Sequence, residues 1–332
     1  PDGVVTGSSI TTGTIEQALA DGNNVDLTTS SADSDNGDIT LTGSIDAHST
    51  GDADLTLEGR HLSETGGSTI SIDGTGSELT LDVNTVGNIP TPGGNWISDA
   101  LAMIGTVTGG TTINLGAGTY AAGTSINKAN VTLNGGHVAK IEVADAPDIN
   151  GINIDANKVT VEGMEIVGPA TSSYKTYAWG GNTRGIAVHN GFTEFTITDN
   201  NIHDIRNGIL IDGRNTGTVS NNFIDNTKSA ISVQYTDAGA GNSEGYTVDI
   251  SGNTEGALGN EWGLNTPLNG HDVGGTLVGN SVKIATNAPT NIQQALLDFC
   301  ANSNRITTQN QRCCKSNSTK VTVSTSGSDA NH

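Results

Sequence analysis

Between residues 184 and 234 the chain repeats itself. Gly185-Ile186-Ala187-Val188-His189, Gly208-Ile209-Leu210-Ile211-Asp212 and Ala230-Ile231-Ser232-Val233-Gln234 share one pattern, with Ile186, Ile209 and Ile231 spaced 23 and 22 residues apart. A second strand-like stretch runs between them, Thr196-Ile197-Thr198-Asp199-Asn200 and Thr218-Val219-Ser220-Asn221-Asn222, again 22 residues apart. A unit this short cannot bury an apolar face by itself, so the units must stack. Stacked at the strand spacing of about 4.8 Å, each turn satisfies the backbone groups of the next, and inward Ile, Val and Leu pile into columns. The predicted fold is all-β: a right-handed parallel β-helix of about eleven to thirteen coils, with short capping helices.

Composition agrees. Gly supplies 45 of 332 residues while aromatics are only 4%, which suits a narrow core with many turns. The formal net charge is −21, from 14 Lys plus Arg against 35 Asp plus Glu. Nucleic acid is thereby excluded as an expected partner, because phosphate contacts need clustered cations. No apolar run is long enough to span a bilayer, so membrane insertion is not expected. The acidity reads first as a soluble, non-aggregating exterior.

Short alternating strands follow one another from the start: Val25-Asp26-Leu27, Ile39-Thr40-Leu41, Leu55-Thr56-Leu57, Ile70-Ser71-Ile72 and Leu79-Thr80-Leu81-Asp82-Val83. Three segments share an Ile-x-x-Ala-Leu pattern, beginning at Ile15, Ile97 and Ile292. Each is expected to be a helix that plugs one end of a stack, with Asn95 capping the second. Residues 88–95, with Pro90 and Pro92, read as a linker. The predicted organisation is a solenoid segment over 1–87, the linker at 88–95, a second β-helix over 96–286, and a capping helix with a Cys-containing polar tail over 287–332. Recurring Asn200, Asn222, Asn253 and Asn280 are expected to stack as a ladder at the turns.

Residues 13–86, with "TIEQALADGNNVDLTT", "NGDITLTGSID" and "ADLTLEGRHLSETGGSTISIDGTGSELTLDV", resemble the repeats of filamentous-haemagglutinin-type exoproteins, the two-partner-secretion adhesins of Gram-negative bacteria. Residues from about 95 to 285 resemble pectate-lyase-like β-helix domains, in which a capping helix leads into a strand of the type Ile113-x-Leu115-x-x-Gly118-x-Tyr120. The first resemblance implies a secreted or cell-surface bacterial protein. The second implies a fold shared by lyases, hydrolases, epimerases and non-catalytic proteins, and so names no single activity.

Two functional readings follow. In the first, the chain is an adhesin or extracellular structural element that engages a glycan or a host or neighbouring cell surface and can associate end to end through its unpaired edges. In the second it is a polysaccharide lyase or epimerase-type enzyme using the 184–234 face. Asp155, His189, Asp212 and Gln234 form one predicted column at the strand ends, and Arg184, Arg206 and Lys228 precede the same strands. A β-helix lyase removes the proton α to a uronate carboxyl with a basic side chain and neutralises that carboxyl with a cation. That chemistry would assign Arg206 or Lys228 as base, His203 or His189 as its partner, and Asp155, Asp199 and Asp212 as Ca²⁺ ligands, Ca²⁺ being the one cofactor considered. A polar column at strand ends is equally what the solvated exterior of such a fold presents.

Tyr174, Tyr177 and Trp179, in an insertion at 168–183, and Trp262, in another at 256–272, are candidate ligand-binding residues, since exposed aromatics stack on sugar rings. The insertion at 168–183 can instead fold over the coil and cover core. The run Asp33-Ser34-Asp35-Asn36-Gly37-Asp38 reads as a polar turn and lacks the closing Glu of a calcium loop. Cys300 can pair with Cys313 or Cys314 in an oxidising compartment, or all three can remain free thiols.

Overall fold

The structure is a computed structural model, and it describes residues 9–29, 37–49, 51–86, 89–146, 148–173, 176–178, 181–212, 215–234, 247–260, 281–284 and 322–323. These residues are nearly all β. Every strand pairing among them is parallel.

The chain visits three strand positions in rotation. The first position builds one eleven-stranded sheet that starts at Val25–Thr28, Leu55–Gly59, Glu78–Val83 and Gly110–Leu115 and ends at Thr322–Val323. The second builds a two-stranded sheet, Ile39–Leu41 and Leu62–Glu64, and later a six-stranded one from Gly118–Ala121 to Thr254–Glu255. The third builds a three-stranded sheet, from Ile45–Ala47 to Ile104–Val107, and later a five-stranded one from Thr124–Ile126 to Ser229–Gln234.

The register places like on like. Leu57, Leu81, Ile113, Leu133, Val161, Ile197, Val219 and Ile250 occupy one file across the first sheet, and all are at most 2% exposed. Ile152, Ile186, Ile209 and Ile231 make a second file in the third position. Tyr120, Ile141, Ile166, Ile202 and Ile224 make one in the second. One apolar cluster runs from Ile15 to Ile250. Alternation along each strand sends the intervening residues outward, so burying one file fixes all the others.

Each turn uses three strands where the 22-residue repeat shows two. The extra strand is short. Asn201–His203 and Phe223–Asp225 each send one residue inward, Ile202 or Ile224. One apolar residue flanked by polar ones carries no period that a sequence pattern can reveal.

Two α-helices occur among the described residues. α1 (Thr12–Ala20) buries Ile15 and Leu19 and packs on the strands Ile45–Ala47 and Val25–Thr28, at the N-terminal limit of the sheets. α2 (Trp96–Ala102) buries Ile97, Ala100 and Leu101 and touches Leu62–Glu64 and Thr124–Ile126. It therefore stands between earlier and later turns, in the place in the rotation where a second-position strand would fall. The first sheet runs past it, with Leu79, Leu81 and Val83 paired to Thr111, Ile113 and Leu115. Asn95 precedes α2, but its side chain makes no capping bond; only its carbonyl is used, by Asp99 N at 2.7 Å. Its near-helical backbone (φ −112°, ψ 4°) departs from the extended conformation typical of a side-chain cap. The helix is held from outside as well. Trp96 stacks on His61 at 5.0 Å between ring centroids, and Asp99 Oδ2 lies 2.8 Å from His61 Nε2.

The proline-containing stretch is tied into the next turn. Asn84, buried and with φ of 59°, donates from Nδ2 to the Ile89 and Ala117 carbonyls and accepts from Ile89 N. Thr119 N donates to the Pro90 carbonyl at 2.9 Å. Pro90 cannot donate to a ladder, but it can still accept from one. Ile292, Asn280, the Asp33–Asp35 run and all three cysteines lie outside the described residues.

Candidate functional site

The turns between first and second strand positions are built by asparagine. Gly163, Asp199, Asn221 and Gly252 take positive φ there, at 62°, 58°, 56° and 65°. The next residue in three of these turns is Asn200, Asn222 or Asn253, each at most 1% exposed. Asn200 N and Nδ2 both donate to Asn222 Oδ1, at 3.0 and 2.9 Å. Asn222 repeats the pattern on Asn253 Oδ1, at 2.9 and 2.9 Å. Met164 N, in the preceding turn, donates to Asn200 Oδ1. Asn200, Asn222 and Asn253 thus form the ladder predicted for them, at the corner that also carries Asp199.

The candidates divide among three corners. Arg206, Lys228 and His203 lie where the second strand position passes to the third. Lys228 N donates to the Arg206 carbonyl at 3.0 Å, so the two cations follow each other on successive turns. Arg206 Nη1 donates to the Gly181 carbonyl at 3.3 Å. His203 is held on both ring nitrogens, with Nδ1 2.7 Å from Asp204 Oδ2 and Nε2 3.2 Å from Glu165 Oε1. Asp204 Oδ1 in turn accepts from Asn226 Nδ2 at 2.5 Å. The two carboxylates fix the orientation of the His203 ring between them.

Arg184 does not continue the Arg206–Lys228 row. It pairs in register with Asn150 and Asn207, one position further along its strand. Its Nη1 donates to Asn150 Oδ1 at 3.2 Å. Burial holds the guanidinium below the ordinary arginine range; Asp148 and Asp212 oppose that effect, and repulsion from Arg206 adds to it.

Asp155, His189 and Asp212 sit at the far end of the third strand position. Asp155 Oδ1 meets His189 Nδ1 and its Oδ2 accepts from Ser125 Oγ, both in close contact. The backbone of the strand Asn207–Asp212 puts roughly 15–20 Å between this end and Arg206, while the Arg184 guanidinium is close enough to be influenced by both Asp212 and Arg206. Asp199 lies at the third corner, 3.1 Å from His137 Nε2. The three proposed Ca²⁺ ligands are thus not brought together, and among the described residues no group of three or more His, Cys, Asp or Glu is placed to hold a metal ion.

The described part of the insertion at 168–183 is hydrogen-bonded to the turns beside the strands. Ala170 N donates to the Asp204 carbonyl at 3.0 Å, and Asn226 Nδ2 donates to the Ser172 carbonyl at 3.0 Å. Asn182 Nδ2 donates to Asp148 Oδ1 at 3.1 Å. Tyr177 is half-buried. Its phenol is pushed above the ordinary tyrosine range by burial first and then by the neighbouring Asp145 carboxylate. Leu210 and Ala187, at outward positions of the third strand position, are at most 4% exposed, outside the main apolar cluster. Tyr174, Trp179 and Trp262 lie outside the described residues.

Sequence reasoning missed Glu165, Ser125 and Asp145 because each meets its partner from one or more turns away. Glu165 and His203, 38 residues apart, share no local spacing. Among the described residues no helix is long and apolar enough to cross a membrane. Comparison with protein-family models, with curated proteins and with solved structures finds no match for this chain.

Proposed function

We propose that the three strand positions close into a right-handed parallel β-helix of about eleven to thirteen coils, and that this rod acts outside the cell in adhesion or as a structural element. The observation that supports this reading best is the in-register file Ile152–Ile186–Ile209–Ile231, which recurs once per turn. Equivalent residues on successive parallel strands, visited in fixed rotation, are what a winding chain produces. The haemagglutinin-like repeats of residues 13–86 and the dispersal of the candidate polar residues over three corners favour a surface role over a catalytic one. The partner in this reading is a glycan or a cell surface, or a second copy of the chain met end to end.

Small-angle scattering tests the rod: coils stacked about 4.8 Å apart give a particle roughly 50–65 Å long along the axis, and a compact, near-spherical profile would overturn the closure. Binding to a glycan array or to bacterial and host cells, with no turnover of any arrayed polysaccharide, is the expected functional result.

The lyase reading keeps one specific support, the succession of Arg206 and Lys228 on neighbouring turns beside His203. Formation of unsaturated uronides from alginate, pectate or a glycosaminoglycan, followed by absorbance and abolished in Arg206→Ala or Lys228→Ala, would replace the adhesive reading with the enzymatic one.

A further inference from the structure

The outward side of the first sheet carries a file of threonines. Thr56, Thr80, Thr112, Thr132, Thr160, Thr196 and Thr218 are Cα partners on seven consecutive strands. All seven are half-buried outward positions; six lie between buried residues, and Thr218 lies between half-buried Gly217 and buried Val219. The pairing runs through them without a register shift; the shift that does occur is at Ile70/Ile72, in another sheet. The file beside it, two residues further along each strand, is neutral for Asn114 and Asn134 and again for Thr198 and Ser220. It carries Glu58, Asp82 and Glu162 on the other three rungs. Asn114 Nδ2 donates to Asp82 Oδ1, Asn134 Nδ2 donates to Asn114 Oδ1, and the Thr198 and Ser220 hydroxyls bond each other, so this second file is held still.

We infer that this face is an ice-binding surface. The threonine file has no charge over seven rungs in a chain of net charge −21, and Asp26 and Asp249 continue it only beyond its two ends; a partner that contacts the seven rungs alone needs no charge. Neither file contains an aromatic ring, so the stacking platform that a sugar ring uses is missing here. The rungs repeat about every 4.8 Å along the sheet, and neighbouring files are about 6.7 Å apart along the strands. A flexible or single ligand would engage one or two rungs and gain nothing from seven. A crystal lattice gains from all of them, and the oxygen lattice of ice repeats at nearly the first of these steps. Each threonine offers a hydroxyl that can take a lattice water as a hydrogen-bond partner and a methyl that excludes loosely held water around it. The β-branch fixes χ1, so little rotamer entropy is lost on contact. The inference needs only the in-register parallel sheet and is independent of the adhesive reading.

The test is partition into slowly grown polycrystalline ice, measured as the fraction of protein recovered from the solid. The wild-type chain is expected to enter the ice. Thr132→Lys and Thr196→Lys place an ammonium in the middle of the contact, where a desolvated, unpaired charge is strongly unfavourable, and should lower incorporation by about tenfold or more. Thr40→Lys, on an exposed outward position of a different sheet, should leave it unchanged; circular dichroism confirms that each variant folds. Exclusion of the wild-type protein from ice overturns the inference without reference to any variant. Equal incorporation of the wild type and both lysine variants also overturns it. So does binding of the wild type to crystalline chitin or cellulose in preference to ice, lost in the same variants, which would assign the face to a polysaccharide.

Discussion

Replacing Asn222 by alanine removes the middle rung of the asparagine ladder, and its effect can be worked out bond by bond. The side chain accepts from Asn200 N and Asn200 Nδ2, and donates to the Ile197 and Ser220 carbonyls and to Asn253 Oδ1. Some partners keep other bonds. Asn200 Nδ2 still reaches the Val161 and Thr198 carbonyls, and Asn253 Oδ1 still accepts from Asn222 N. The buried Asn200 backbone N–H loses its acceptor. One orphaned buried donor costs about 1–3 kcal/mol, and the remaining bonds about 1 kcal/mol each in net terms. With a small void added, the expected loss is about 3 kcal/mol, within a range of roughly 2–5. Guanidinium denaturation followed by circular dichroism measures the global effect. Hydrogen exchange at Asn200 N and its neighbours measures the local one, which matters because stacked turns need not unfold in a single step. Asn201→Ala, at the exposed neighbouring position, should change stability by less than about 0.5 kcal/mol.

Asn222→Asp makes the test sharper. It preserves the acceptor for Asn200 but points an oxygen at three other oxygens in a buried site. It should be at least as damaging as alanine at neutral pH. The introduced carboxyl would have a folded pKa raised by burial, so stability should recover as pH falls below that value and the group becomes a donor. A loss for Asn222→Ala no larger than for Asn201→Ala would refute the reasoning, since the ladder would then be an ornament of the turn and not a support for it.

Other perturbations have equally definite expectations. Ile209→Ala, in the fully buried third-position file, should lower stability by about 2–5 kcal/mol through lost burial and a residual cavity, measured by the same denaturation. Tyr120, whose hydroxyl donates to the Gly116 carbonyl at 2.9 Å, has its pKa pushed up to about 12 by burial, with Asn84 acting in the opposite sense. Its folded value is raised, so the contribution is fully present below the unfolded value near 10 and is lost between there and about 12, by up to about 2–3 kcal/mol. An alkaline titration of wild type against Tyr120→Phe should show that slope only in the wild type. Gly116→Ala would set a Cβ 2.0 Å from the Asn84 carbonyl oxygen and should shift the backbone where the chain passes Asn84, lowering the thermal midpoint relative to Gly123→Ala, where a Cβ meets no atom within 4 Å but the φ of 91° still strains the backbone.

Much of the fold can be read directly in the chain. Ile186, Ile209 and Ile231 declare a repeat, alternation in Leu79–Val83 declares which side is buried, and Asn200, Asn222 and Asn253 declare the corner. These are local patterns repeated at one period, and stacking merely copies them. What escaped the sequence reading was either too short or too distant. Asn201–His203 has one inward residue and no period of its own. The helix beginning at Ile97 was legible as a helix but not in its place, because the pairing of Leu79–Val83 with Thr111–Leu115 that carries the first sheet past it joins residues 32 apart. The candidate site fared worse. Asp155, Asp199, Asp212, His203 and Arg206 look like a cluster when successive repeats are written beneath one another, but the chain changes direction three times per repeat and distributes them over different corners.

By itself the sequence determined the strand alternation, the repeat and the all-β class, because these depend on the spacing of apolar residues along the chain. The tertiary structure alone decided which outward side chains become neighbours: that His203 is clasped by Glu165 and Asp204, that Ala170 and Ser172 of the 168–183 insertion bond to Asp204 and Asn226, and that seven threonines from seven strands form one neutral file. Inward residues are selected by a shared requirement for burial and so announce themselves, whereas an outward residue acquires its neighbours only from the register in which the next turn happens to settle.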